Sequence, residues 1–171
     1  LSAALESLGD RLFQVAYVVP DLAAAERFFA GALGVRHFER LAGVELGEGC
    51  THRGARADAT LDLAIGYAGD TQIELVYPAR GDSIHREFLD AGRSGLHHLG
   101  FLVDDFAGTT ARLRAQGLAC VAEGLLDTGM RVEFAYFDAT ARAGSVFEIL
   151  AFDAAAHAFM DEIQQKGRSL S

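Results

Sequence analysis

Only two cysteines and two prolines occur among the 171 residues, and no apolar run approaches the roughly 20 residues that a membrane-spanning helix needs. Cys50 and Cys120 share no short-spaced motif and are too few for a disulfide scaffold, so free thiols without a chemical role are expected. The apolar stretches break every few residues at Asp, Glu, Arg or Gly, and no membrane partner is expected. Positive charge is scarce as well. Fifteen Lys and Arg face twenty-four Asp and Glu, a net charge of −9, which leaves no surface suited to tracking phosphates and excludes nucleic acid as an expected partner. The opening LSAALESLGD has neither the basic nor the apolar part of a secretory leader, so a cytoplasmic location is expected. Apolar residues make up 50% of the chain, which fits one compact unit or two tightly fused halves.

Two segments read alike. QVAYVVPDL (14–22) and HLGFLVDDF (98–106) are alternating apolar runs that end at an Asp able to cap a following helix. Helical spacing follows in both, with Leu22, Ala25, Phe28, Phe29 and Leu33 before Gly34, and Phe106, Thr110 and Leu113 before Gly117. Strand-like stretches come next: VRHFERL, TLDLAIGYA and TQIELVYP in the first half, and LACVAEG, RVEFAYFD and SVFEILAF in the second. The pattern predicts an α+β fold of two βαβββ modules that pair to form a cleft, with modules over 10–78 and 96–152. A linker helix over 79–95, capped by Ser83, and a C-terminal helix and tail over 153–171 complete it. Ala68-Gly69-Asp70 and Ala143-Gly144-Ser145 are expected hairpin turns, and the aperiodic stretch between Leu41 and Ala59 is expected as a long loop lining a site.

Strand alternation sorts the side chains. Phe13, Val15, Tyr17 and Val19 are assigned to the helix-covered face, which leaves Gln14 on the other. The same count puts Leu99, Phe101 and Val103 under a helix and His98 opposite, while Glu74 and Glu148 interrupt otherwise apolar strands at matching repeat positions. A buried unpaired carboxylate is expensive, so two in register call for a common partner. One divalent ion (Zn, Ni, Co, Mn or Fe) supplies it, held by the mixed N/O set of Gln14, Glu74, His98 and Glu148. The competing account of each residue alone is a solvated carboxylate or a hydrogen-bonded core histidine.

With these residues in place, the chain resembles the vicinal oxygen chelate superfamily, the group of glyoxalases, methylmalonyl-CoA epimerases, extradiol dioxygenases and bleomycin-resistance proteins. The likeness covers nearly the whole chain and is carried by GLHHLGFLVDD around His98, QIELVYP around Glu74 and VFEIL around Glu148. It implies paired βαβββ modules around a cleft, one metal held by the first and last strands of each module, and a homodimer. The segment DSIHREFLDAGRSGLHHLGF is similar to the epimerase branch, where the first ligand position is usually His rather than Gln14. The set Gln, Glu, His, Glu is instead similar to eukaryotic-type glyoxalase I.

The expected function is a metal-dependent lyase or isomerase that abstracts a proton beside a metal-bound carbonyl of a small molecule, with Glu148 or Glu74 as base. The charge balance of two carboxylates around a cation favours a neutral or singly anionic substrate. The alternatives are a non-catalytic small-molecule binding protein of the bleomycin-resistance kind and an extradiol-type dioxygenase. His52 and Arg53, in the long loop, are candidate substrate contacts for an anionic group. Glu45 and Glu48 share that loop as candidate bases or surface carboxylates. His97 is expected to be structural, and His37 and His85, read at a strand edge and on a helix surface, receive no role.

Overall fold

A computed structural model describes residues 8–170. LSAALES, over which the leader was sought, and Ser171 lie outside the described residues. After a single 3-10 turn, the first half comprises β1 (Leu12–Val18), α1 (Leu22–Leu33), β2 (Phe38–Leu46), β3 (Cys50–His52), β4 (Ala55–Arg56), β5 (Asp58–Ala68) and β6 (Thr71–Asp82). α2 (Ile84–Asp90) leads into β7 (Gly95–Leu102), α3 (Phe106–Ala115), β8 (Ala119–Asp127), β9 (Arg131–Asp138), α4 (Thr140–Ala143) and β10 (Val146–Phe152), and α5 (Ala154–Ser169) ends the chain. Among the described residues no helix is long and apolar enough to cross a membrane.

Ten strands form one curled sheet in the order β2-β5-β6-β1-β7-β10-β9-β8-β3-β4. The two halves share a plan: β1 runs parallel to β6, β7 runs parallel to β10, and β1 meets β7 antiparallel at the seam. Asp21 and Asp105 cap α1 and α3 by accepting hydrogen bonds from the backbone N–H groups of Ala24 and Gly108. These helices cover the outer face. Phe29 packs on Ile73 and Leu75, and Leu113 on Phe101, Phe137 and Ile149. The opposite face buries a second apolar layer, including Phe134, Tyr136, Val146 and Leu150, around the cleft.

Four local expectations change. The stretch after Leu41 is strand rather than loop: β2 continues to Leu46, and β3 and β4 form a small arm that pairs with β8 of the other half, Cys50 opposite Gly124. Gly47, Glu48 and Gly49 join β2, one edge of the sheet, to β3, the next-to-last strand at the other end, so those strand ends are no more than about 14 Å apart, which forces the sheet to curl. The arm turns through Arg53 at φ 49° and Gly54 at φ 79°, the left-handed pair of a two-residue hairpin, without the Asn-Gly signal that usually marks one. Ala143-Gly144-Ser145 is no tight turn, because α4 precedes Gly144. Phe13 sits at a register shift and joins the cleft-side cluster, edge-on to Phe152, instead of the α1 side. On α1 only Phe29 is buried, and Phe28 and Leu33 are exposed.

Candidate metal centre

Four parallel or antiparallel neighbours build the site. Gln14 on β1 stands level with Gln72 on β6 and Gly100 on β7, and Gly100 stands level with Glu148 on β10. One side chain is missing from that row for a steric reason: a Cβ on Gly100 would lie 2.4 Å from Gln14 Oε1 and 2.8 Å from Gln14 Cβ. Glycine therefore makes the space into which Gln14 folds. Its Nε2 donates to Gln72 Oε1 at 2.8 Å, and Gln72 Nε2 donates to the Tyr67 hydroxyl at 2.8 Å. This chain consumes the amide donors and leaves Gln14 Oε1 buried without a hydrogen-bond partner.

The structure brings Glu74, His98 and Glu148 together, all buried, with one ligand atom from each within 4.8 Å of the others. His98 Nε2 lies 3.3 Å from Glu74 Oε2 and 3.2 Å from Glu148 Oε2. Those distances suit ion pairs, yet His98 Nε2 and Glu148 Oε2 have no aligned hydrogen bond. Donor atoms that crowd together without pointing at one another suit a shared central cation. The other face of the imidazole is fixed, since His98 Nδ1 is 2.9 Å from His97 Nδ1. A histidine ligand is normally held in this way through its second nitrogen.

Electrostatics follow from burial and crowding. Burial, together with the Glu148 charge, raises the Glu74 carboxyl above its usual range despite the opposing pull of His98. Burial pulls His98 down, but the carboxylates of Glu148 and Glu74 outweigh it, and the imidazole is pushed up to about 9. His97 is lowered to about 3 by burial and by the charge on His98. Tyr136 is pushed well above the ordinary phenol value by burial and by Glu148 and Glu74.

The remaining sequence candidates lie elsewhere. Arg53 donates from Nε and Nη2 to the two carboxylate oxygens of Glu87, at 2.7 and 2.6 Å, and His52 Nε2 lies 3.0 Å from the same carboxylate. The guanidinium fork is thus engaged with α2, and neither residue lines the cleft beside Glu74 and Glu148. Glu45 and Glu48 are exposed and outside that cleft too. His37 lies 3.2 Å from Glu39. His85 is a correction: it is 1% exposed rather than on a helix surface, packs against His97, His98 and Tyr136, and has both ring nitrogens unpartnered. Gln72 and Tyr136 also line the cleft without having been assigned a role, although strand alternation puts both on its face.

A family model described as the Glyoxalase/Bleomycin resistance protein/Dioxygenase superfamily matches residues 13–136. The chain belongs to that superfamily. Among solved structures similar to this member are methylmalonyl-CoA epimerase from Mycobacterium tuberculosis, 24% identical over 92% of this chain and 97% of that one, with a TM-score of 0.60. The Streptomyces coelicolor methylmalonyl-CoA epimerase in complex with 2-nitronate-propionyl-CoA is 19% identical over 84% and 98%, with a TM-score of 0.62. A hypothetical protein, BH1468 from Bacillus halodurans C-125, is 18% identical over 82% and 92%, with a TM-score of 0.58. At these identities the likeness is one of fold. No curated protein matches the chain. The superfamily's curled sheet of paired modules is the one described above.

Proposed function

We propose that this superfamily member is a metal-dependent lyase or isomerase of the glyoxalase and methylmalonyl-CoA epimerase type, which takes a proton from the carbon beside a carbonyl group of a small molecule. The observation that carries the reading is the convergence of buried ligand atoms from Glu74, His98 and Glu148, with Gln14 Oε1, His98 Nε2 and Glu148 Oε2 all lacking hydrogen-bond partners. Buried polar atoms are rarely left this way, and the donor set fits Zn, Ni, Co, Mn or Fe. His98, Glu74, Glu148 and Gln14 would hold the ion. When bound, it supplies a Lewis acid for the carbonyl oxygen.

The chain's own groups do the rest. Glu148 or Glu74 accepts the proton, both carboxylates lying on the cleft wall. His97 fixes the orientation of His98, and Gln72 fixes that of Gln14. The apolar wall excludes water and strengthens each of these contacts. His52 and Arg53 steady α2 through Glu87. A homodimer belongs to the same reading, supported by the exposed Phe28 and Leu33 on α1.

Protein purified without chelator or nickel resin should carry one divalent ion per chain, and His98→Ala should lose it while Gln14→Ala retains a weaker site. In deuterated water, a panel of diketones, 2-oxo acids, hemithioacetals and 2-methyl-branched acyl thioesters should reveal metal-dependent exchange beside the carbonyl. Metal and ligand both bound with no exchange across the panel would make a sequestering protein the better reading.

A further inference from the structure

We infer that His85, His97 and His98 form a second metal position, an all-imidazole one that takes Cu(II), and that it shares the His98 ring with the Glu74–His98–Glu148 centre so that one of the two is filled at a time. The inference does not depend on the carbon-acid reaction proposed above. One ring nitrogen from each of the three histidines lies within 4.8 Å of the others, and all three side chains are buried. The decisive member is His85. A neutral imidazole carries one N–H donor and one bare acceptor, yet both nitrogens of this ring are buried without a partner. An apolar side chain would fill the same place on α2 without that cost, so the two nitrogens call for a ligand of their own.

Distances choose the ion. His97 Nδ1 and His98 Nδ1 are 2.9 Å apart. Two nitrogens about 2.0–2.1 Å from one ion stand about 2.9 Å apart at a right angle and about 3.3–3.4 Å apart at the tetrahedral angle. The pair matches neighbouring corners of a square, the geometry of Cu(II) and Ni(II), and of these copper binds nitrogen more tightly. Opposite corners are about 4.1 Å apart, so His85, at no more than 4.8 Å, completes the set by turning its ring. His97 also lines a second cavity, of about 260 Å³, which gives the trio an entry that the first centre does not use. Exclusion follows from proton count. His98 has a single N–H when neutral. With an ion on Nε2 that proton sits on Nδ1 and is donated to His97; with an ion on Nδ1 it sits on Nε2, 3.3 Å from Glu74 Oε2 and 3.2 Å from Glu148 Oε2. Those carboxylates then offset the charge of an ion held by three neutral rings. Filling both positions would strip the ring of its last proton and set two dications on one imidazole.

The test titrates cobalt-loaded protein with Cu(II) at neutral pH. One cobalt should leave for each copper taken up, and electron paramagnetic resonance should show couplings from three imidazole nitrogens. His85→Leu should keep cobalt binding and weaken copper by about 100-fold or more, since losing a residue that merely supports a ligand already costs about 10- to 100-fold. Glu148→Gln should weaken cobalt and keep the three-nitrogen copper spectrum, which separates this position from the one that the proposed reaction uses. Copper coupled to one imidazole, copper affinity unchanged in His85→Leu, or copper and cobalt held together in one chain would overturn the inference. A three-nitrogen spectrum in protein that exchanges no substrate proton refutes the reaction and keeps the histidine site.

Discussion

Replacing Gly100 with Ala tests whether the ligand row depends on a missing side chain. The new methyl would sit 2.8 Å from Gln14 Cβ and 2.4 Å from Gln14 Oε1. A rotamer change can move the Oε1 atom but not the Cβ, which is fixed to β1, so the two strands must separate by several tenths of an ångström or Gln14 must leave. Overpacking of this kind costs about 1–3 kcal/mol, and breaking the 2.8 Å Gln14–Gln72 hydrogen bond adds about 1 kcal/mol. Urea unfolding of metal-free protein should therefore show a loss of about 2–4 kcal/mol. Metal present at 100 times its dissociation constant stabilises the parent by about 2.7 kcal/mol, and the variant should gain less because its amide oxygen is displaced. Parent-like stability combined with a parent-like metal increment would refute the account of why glycine stands at this position.

Metal affinity should rise with pH. The ion needs His98 without its Nε2 proton, and that imidazole is pushed up to about 9 in the metal-free protein. Below that value binding displaces a proton, so the apparent dissociation constant should fall about tenfold per pH unit toward 9 and then level off. A flat profile from pH 7 to 9, followed by competitive titration, would contradict it. The same shift stabilises metal-free protein fully below 6.5 and is lost as pH rises through about 9. Glu87→Gln should lower stability by less than about 1 kcal/mol, since both partners of the Arg53 pair are largely exposed, and should leave metal affinity unchanged. A larger loss, or an altered affinity, would tie the arm to the site.

Alternation and repetition made the acidic and histidine positions legible. In a strand every second residue shares a face, so Glu74 with Gln72, and Glu148 with Val146 and Leu150, could be placed opposite the helices without any knowledge of contacts. That logic failed where the period is interrupted. Phe13 crosses faces because a register shift beside β7 inserts an extra residue, a feature no residue type announces. His85 escapes that logic because α2, at seven residues, is too short for a face to be read, and its buried side is set by how the helix folds back on β6 and on β1, the latter distant in sequence. The β3–β4 arm escapes it because its partner strand lies about 70 positions along the chain, and strands of two or three residues flanked by glycines carry no hydrophobic signature.

That arm has a further implication for the ancestry of the molecule. Although the chain repeats one plan, the halves are interlocked: the first contributes β3 to the open edge of the second, across from β8. A fragment cut at the linker would strand the arm without a partner, and the second fragment would present β8 as a bare edge, the kind of surface that recruits other chains. Recombination with a relative at the α2 boundary would meet the same obstacle, because compatibility would be decided at the Cys50–Gly124 crossing as well as at the seam. The two repeated halves can be exchanged only together.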